Sequence, residues 1–504
     1  VVSAVYALSA PGRIDIIDGQ LRYEVALNLL NEGRPVIRDP ALRFAGLPGR
    51  NGSLYSFYDA AASVAGLPLV WLGQVGGRNE ETPRFLFSLT SAIAGGLLAS
   101  VLYLFYQTLG VDSRAALGWV SVSAFGSLIW PLATSTFDQV QHAALVLAAV
   151  QLGRASARRA SNWLAFVAGL PVAALLNYQE AYLLLIPALA LSTLKWNEAS
   201  GLARSSLRRY GVFLTATGLG IAGWLAYNAV RFGDPLFLLG KLPREGHPAG
   251  SMLGNPAAGF LSLWLSPGKS ILLYSPVLVL GFLGIRGLWR KDAVLALTVV
   301  TVSAVQMLFV SSLRFFGSDW AWGPRYLVPL LPLWALGFPF LSASTIRRSV
   351  RGAVVASGIL VQLMAVSVDH QRFFFERGLP PFFWATDQWF YFHESALLAR
   401  PGEIIVSLRD GVPEGARRFA PGPYPDALTY AIFGYPRPEL APGLMRGFQV
   451  FYLPRPWPLW MRAISPDRRP VALGPTTLGL VVGAIIGLGL IQRGICRRSS
   501  PEPP

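Results

Sequence analysis

Apolar stretches long enough to cross a bilayer alternate along this chain with short basic turns and a few long, more polar segments. A membrane helix needs about 20 mostly apolar residues, because about 30 Å of hydrocarbon is covered at about 1.5 Å per residue. The pattern predicts spans near 84–110, 115–133, 139–153, 162–177, 181–195, 210–229, 270–286, 293–312, 326–343, 352–368 and 474–491. Residues 1–10 read as the end of a first span whose start is missing or mis-called, which brings the expected number to twelve. Residues 11–83 are too polar to cross. Within them, Gln20 to Glu32 sets Leu21, Val25 and Leu29 on one face and Arg22, Asn28 and Glu32 towards another, the pattern of a helix lying in the membrane interface. Tyr55 to Trp71 alternates small and aromatic residues around Pro68 and reads as a re-entrant or surface-lying helix.

The basic residues orient this pattern. Arg154, Arg158 and Arg159 share one loop; Lys195, Arg204, Arg208 and Arg209 another; Arg286, Arg290 and Lys291 a third; Arg347, Arg348 and Arg351 a fourth; Arg493, Arg497 and Arg498 the tail. With twelve spans all five groups fall on one side, the cytoplasm by the positive-inside rule, and a miscount of one would break the alternation. The other side receives residues 11–83, Arg231 to Lys269, the Arg314 to Arg325 loop and the long segment from Asp369 to Leu473. The fold class expected is an all-α polytopic membrane protein of about 12 transmembrane helices, with outer-face surface helices in the first loop. A small outer-face cap of mixed structure over 371–473 precedes the last helix and a basic cytoplasmic tail (474–504). That cap is rich in proline and aromatic residues, among them Phe373, Phe374, Phe375, Trp384, Trp389 and Trp457.

Composition agrees: 53% of residues are hydrophobic, 14% are charged, and the mean hydropathy is +0.45, which excludes an ordinary soluble domain. The net charge of +16 would suggest nucleic acid in a soluble protein. Here the cations are spread between apolar segments as topology signals, and no nucleic-acid partner is expected. The single cysteine, Cys496, excludes an intramolecular disulfide and a cysteine metal site.

Charge close to hydrocarbon is costly and is usually kept for a function or a partner. Five clusters meet on the expected outer side: Asp15, Asp18 and Arg22; Tyr55, Tyr58 and Asp59; Asp138, Gln139 and His142; Tyr178, Gln179 and Glu180; Arg314, Asp319, Trp320, Trp322, Arg325 and Tyr326. Each has a plain alternative. Asp18 suits either a catalytic carboxylate or a helix N-cap, and Asp59 suits a cap as well. His142, one turn after Asp138, fits a metal pair or a hydrogen-bonded pair. Glu180 fits a wet turn. Arg325 fits bidentate phosphate contact or a snorkelling interfacial arginine.

Several ordered motifs carry a resemblance. They are Asp18-Gly-Gln-Leu-Arg22-Tyr after the first helix, Tyr55-Ser-Phe-Tyr58 leading to Gly66-Leu-Pro68, and Tyr227-Asn228 with Arg231-Phe-Gly-Asp-Pro235. Ser266-Pro-Gly-Lys269 with Tyr274-Ser-Pro276, and Trp322-Gly-Pro-Arg325-Tyr326, complete the set. In this order they resemble the GT-C superfamily of polytopic glycosyltransferases, nearest to the branch holding protein O-mannosyltransferases and lipid A aminoarabinose transferases. The resemblance covers residues 1–370, a transmembrane catalytic module; the segment after it matches nothing comparable.

The resemblance implies transfer of a sugar from a polyprenyl-phosphate donor to a lipid, glycan or protein acceptor outside the cytoplasmic membrane, with inversion at the anomeric carbon. Membrane lipid is then a further partner. Asp18 stands at the first-loop acidic position, as the base, and Asp138 at the second. The Tyr55 to Asp59 stretch lacks the basic residue of many relatives, so Arg22, Arg325, Arg314 and Lys269 become the candidates for phosphate. Tyr55, Asp59, His142, Glu180 and Tyr326 complete the expected substrate-binding set. No cofactor or metal is required, and a divalent cation between Asp18, Asp138 and phosphate is compatible with this set. The rival readings are a secondary transporter, a lipid-linked polysaccharide polymerase or ligase, and an inactive scaffold that binds lipid-linked sugars. Matched halves are the transporter's usual mark, and the loop lengths of this chain differ greatly between its halves.

Overall fold

In the computed structural model the apolar stretches form helices, several of them interrupted at prolines. The structure describes residues 1–12, 14–39, 42, 46–76, 81–197, 201–202, 204–237, 253–318, 321–342, 346–368, 373, 392, 395–410 and 487. The expected span at 474–491, the basic tail and most of the 371–473 cap lie outside these residues, as do Asp319 and Trp320.

The chain runs through α1 (Val2–Ser9), α2 (Ile17–Glu32), a two-stranded antiparallel ladder of β1 (Gly46–Pro48) and β2 (Leu54–Ser56), α3 (Ala61–Gly76), α4 (Glu81–Ser88) and α5 (Thr90–Thr108). Then come α6 (Ser113–Gly126), α7 (Ile129–Ala133), α8 (Gln139–Arg159), α9 (Asn162–Leu176), a 3-10 turn at Glu180–Leu185, α10 (Ile186–Ala190) and α11 (Arg204–Phe232). The rest comprises α12 (Pro256–Leu265), α13 (Ile271–Tyr274), α14 (Leu278–Lys291), α15 (Ala293–Ser312), a 3-10 turn at Arg325–Leu330, α16 (Leu331–Ala335), α17 (Arg348–Ser367) and α18 (Ala396–Asp410).

Among the described residues, four helices are long and apolar enough to cross a membrane: Thr82–Thr108, Arg204–Phe232, Ala293–Ser312 and Arg348–Ser367. Other expected spans are broken. Proline lacks an N–H and clashes with the carbonyl four residues back. Pro187 accordingly divides 181–195 between a 3-10 turn and α10, Pro276 follows the end of α13, and Pro329 and Pro332 split 326–343. Helix α12 falls in a segment expected to be an outer loop.

The interface reading of Gln20 to Glu32 is corrected. Helix α2 is buried on most sides, and its polar residues Gln20, Arg22, Glu24 and Asn28 are buried with the rest. Glu24 accepts from Asn28 Nδ2 (3.0 Å) and from the amides of Arg38 (3.0 Å) and Asp39 (3.1 Å), so this polar face closes the following loop instead of meeting water. Helix α3, by contrast, exposes Val64, Trp71, Leu72 and Val75, as a helix seated against lipid would. At the centre, α8 packs on α5, α9 and the Arg325–Leu330 turn.

Candidate functional site

The first link of the site joins the start of α2 to the turn before α8. The Asp15 carboxylate accepts from the Thr136 amide (2.9 Å) and hydroxyl (2.6 Å). Gly19 lies so close to Thr136 that a side chain there would overlap it. This contact brings one face of α2, where Asp18 and Arg22 stand four residues apart, against the head of α8. Asp15 therefore has a structural partner, and Asp18 is the carboxylate turned to the cluster. Asp18 does not cap α2: the helix begins at Ile17, its N-cap is Ile16, and Asp18 lies in the first turn. A carboxylate there is still favoured by the helix dipole.

Two ion pairs meet at this point. Asp18 Oδ2 is 3.3 Å from Arg325 Nη1, and Arg22 Nη2 is 2.7 Å from Asp138 Oδ2. Asp138 Oδ1 accepts from Gln139 Nε2 (2.9 Å), and His142 Nε2 lies 3.4 Å from Oδ2. On its other side His142 Nδ1 is 2.9 Å from the Tyr182 hydroxyl, while Tyr178 sets its ring on the imidazole and donates to Gln141 (2.6 Å). His142 is thus held between Asp138 and Tyr182. Aromatic rings back both cations, Tyr58 at 4.3 Å from Arg22 and Phe137 at 4.1 Å from Arg325. Arg325 Nη2 also donates to the Tyr326 hydroxyl (3.3 Å). Arg325 is buried, so it is no snorkelling arginine.

The two carboxylates differ in a way that separates their roles. The Asp138 side chain is 4% exposed and the Asp18 side chain 20%. Burial alone would raise the Asp138 pKa; Arg22, His142 and Arg325 more than offset that and hold the carboxyl well below the usual carboxylate range. Asp138 is a permanent counter-charge. Burial first, and then the neighbouring Asp18 charge, push the Tyr58 hydroxyl well above its usual range, so Tyr58 remains a proton donor beside Asp18. Arg22 is buried, and its Nε and Nη1 have no hydrogen-bond partner among the described residues. Each such donor costs about 1–3 kcal/mol if left unmet, and an anion would satisfy both.

A second layer holds this cluster. Arg231 at the end of α11 donates to the carbonyls of Ser56 (2.7 Å) and Tyr58 (3.0 Å), and to Asp59 (3.2 Å) and Asn228 (2.8 Å). It clamps the 56–59 turn that carries Tyr58. Arg231 and Asn228 were legible only as a motif three residues apart; what Arg231 grips lies more than 170 residues earlier.

Other expected residues stand apart from the ion pairs. Tyr55 packs edge-on against Phe232 (5.9 Å), and Asp59 serves the Arg231 clamp. Glu180 opens the Glu180–Leu185 turn. Arg314 lies in the turn after α15 with its backbone against Gly254. Lys269 is a correction among the phosphate candidates: it is buried, and its Nζ donates to the carbonyls of Ala321 (2.8 Å) and Gly323 (3.4 Å). With Gly323 at φ +68°, a backbone state that favours glycine, Lys269 shapes the turn that delivers Arg325.

Beyond Tyr182 and Tyr326 lies a small cleft of about 20 Å³, between the Gln179–Tyr182 stretch and α15. Asp18 and Asp138, the two carboxylates expected beside a divalent cation, each face a guanidinium. Among the described residues no group of three or more His, Cys, Asp or Glu could hold a metal.

No protein-family model matches the chain, and no curated protein does. Among solved structures it is similar to ArnT from Cupriavidus metallidurans in the apo state, at 15% identity and a TM-score of 0.49, covering 89% of this chain and 74% of that one. For the same protein bound to undecaprenyl phosphate the identity is 16% and the TM-score 0.45, over the same shares. A third is the Archaeoglobus fulgidus oligosaccharyltransferase AglB in complex with an inhibitory peptide and a dolichol-phosphate, at 12% identity and a TM-score of 0.44, covering 76% of this chain and 60% of that one. ArnT and AglB are both GT-C superfamily membrane glycosyltransferases.

Proposed function

We propose that this chain is an inverting glycosyltransferase that takes a sugar from a polyprenyl-phosphate donor and passes it to an acceptor hydroxyl on the outer face of the cytoplasmic membrane. The observation that carries this reading is the pairing of a partly exposed carboxylate, Asp18, with two buried guanidiniums, Arg22 and Arg325, one of which has unmet donors. A carboxylate beside an anion site is what displacement of a phosphate by a hydroxyl requires. The ordered sequence motifs support the same reading.

In this mechanism the acceptor oxygen attacks the anomeric carbon from the face opposite the phosphate. A carbon–oxygen bond forms to the acceptor, and the bond to the phosphate oxygen breaks with its electron pair. Asp18 takes the acceptor proton. The leaving polyprenyl phosphate gains one negative charge, which Arg22 and Arg325 stabilise; Asp138 fixes Arg22, and Tyr58 donates to Asp18. No step passes through a metal. The twelve-span topology, the module over 1–370 and the 371–473 cap belong to this proposal, with the site outside and the C-terminus in the cytoplasm.

The test is a purified-protein assay with polyprenyl-phosphate sugars. Consumption of donor with an inverted product supports the transferase. Donor binding without turnover points to a scaffold, and counterflow in vesicles to a transporter; either overturns the proposal.

A further inference from the structure

The segment after residue 370 plays no part in the mechanism above, yet its helix α18 sends a charged side chain into the core. Ser395 heads this helix. Its hydroxyl oxygen accepts from the Leu398 amide (3.4 Å), as a cap does, and its proton goes to the Pro267 carbonyl (2.6 Å). Ala396 and Arg400, four residues apart and so on one face, are both buried, and Arg400 is 0% exposed. A guanidinium taken out of water is costly unless it is paired and hydrogen-bonded. Arg400 meets Glu403 through Nε (3.2 Å) and the Val368 carbonyl through Nη1 (2.8 Å), and it lies over the Trp322 ring, 5.1 Å from its centroid.

Trp322 stands three positions before Arg325, in the turn whose Gly323 has φ +68°. Lys269 Nζ backs that turn through the carbonyls of Ala321 and Gly323, the Tyr274 ring sits edge-on to Trp322 at 5.1 Å, and Arg400 covers the indole. The first two supports are themselves tied to α18. The Tyr274 hydroxyl accepts from the Leu397 amide (3.2 Å), and Pro267, two residues before Lys269, accepts from Ser395. The start of α18 thus reaches each of these supports of the turn that carries Arg325 to Asp18. A helix merely docked on α17 would have no need of contacts that converge there.

We propose that α18 holds the 321–324 turn so that Arg325 stays beside Asp18, and that Arg400 is thereby a positioning residue for the donor phosphate. This rests on the polyprenyl-phosphate reading above and extends it to a part of the chain beyond the 1–370 module.

The test uses the full chain in lipid nanodiscs and reads the affinity for citronellyl phosphate together with the melting temperature. Arg400→Gln is expected to weaken binding by roughly 3- to 30-fold. Tyr274→Phe and Ser395→Ala each remove one hydrogen bond and keep the surrounding packing, so they should weaken it by roughly 2- to 5-fold with little change in melting temperature. If Arg400→Gln does not fold, these two milder variants carry the same comparison. The signature that a purely structural role would not give is non-additivity. In an Arg325→Gln background, where the remaining affinity comes from Arg22, each change should cost less than about 2-fold. Losses that persist in that background would show that α18 does not act through Arg325 and overturn the inference. If Arg325→Gln weakens binding and none of the three variants does, the inference falls while the phosphate site stands. If the unmodified chain does not bind citronellyl phosphate, the proposed function falls and this inference with it.

Discussion

Helix α8 carries a buried arginine–aspartate pair at each end: Arg22 meets Asp138 at its start, and Arg154 meets Asp292 near its finish. Arg154 uses its whole fork. Its Nε and Nη2 reach the two Asp292 oxygens at 2.7–3.1 Å, and its Nη1 donates to the carbonyls of Ser192 (3.3 Å) and Leu194 (2.7 Å). Asp292 also accepts from the Leu295 amide (3.0 Å) to cap α15, and Arg158 stands 3.5 Å from it. Arg22 makes one short contact and buries two donors without a partner among the described residues. A pair whose groups are all met is a strut between elements. A pair with donors in reserve can accept an anion.

The sharpest way to break this comparison is to remove charge at each end and read rate and stability separately. Asp18→Asn keeps the shape and removes the base, so transfer should fall by about 10²–10⁴-fold with an unchanged melting temperature. Full activity in that variant would end the catalytic reading of the first cluster. Arg154→Ala should do the reverse, leaving Asp292 with the more exposed Arg158 as its remaining cation. Stability should drop by about 1–3 kcal/mol, and whatever protein folds should bind polyprenyl phosphate with unchanged affinity. A stable Arg154→Ala protein that has lost donor binding would show that the two ends are not distinct.

A smaller effect concerns acid. The Asp138 pKa is lowered in the folded chain, so its contribution to stability is fully present above the unfolded value of about 4. It is lost as pH falls through the folded value. The melting-temperature gap between wild type and Asp138→Asn should therefore be constant from pH 7 to about 5 and narrow on acidification below about 4. A gap that widened in acid would mean that burial, not Arg22, governs this carboxyl.

How far the sequence foretold these two ends depends on distance along the chain. Uninterrupted apolar runs such as 293–312 were legible, because periodicity and length act locally. The broken spans were less so: Pro187, Pro276 and Pro329 were visible, but whether a neighbouring helix repays a lost hydrogen bond is a tertiary matter. Asp18, Arg22, Asp138, His142 and Arg325 could be placed at one end from charge and alternation, yet which carboxylate meets which arginine could not. Arg325 reaches Asp18 across 307 positions. Lys269 became a phosphate candidate because the Tyr55 to Asp59 stretch lacks a basic residue, and the carbonyls that engage it come from residues 321 and 323. The polar face of α2 looked solvated for the same reason: the loop it closes comes later in the chain.

The central claim is that Asp18, Arg22 and Arg325 surround the phosphate of a lipid-linked donor. The most direct measurement is a cryo-EM structure of the full chain in nanodiscs with bound polyprenyl phosphate. The account predicts phosphate density within hydrogen-bond distance of Arg22 Nη1 or Arg325, with Asp18 on its open side. Phosphate density remote from both Asp18 and Arg325 would contradict it.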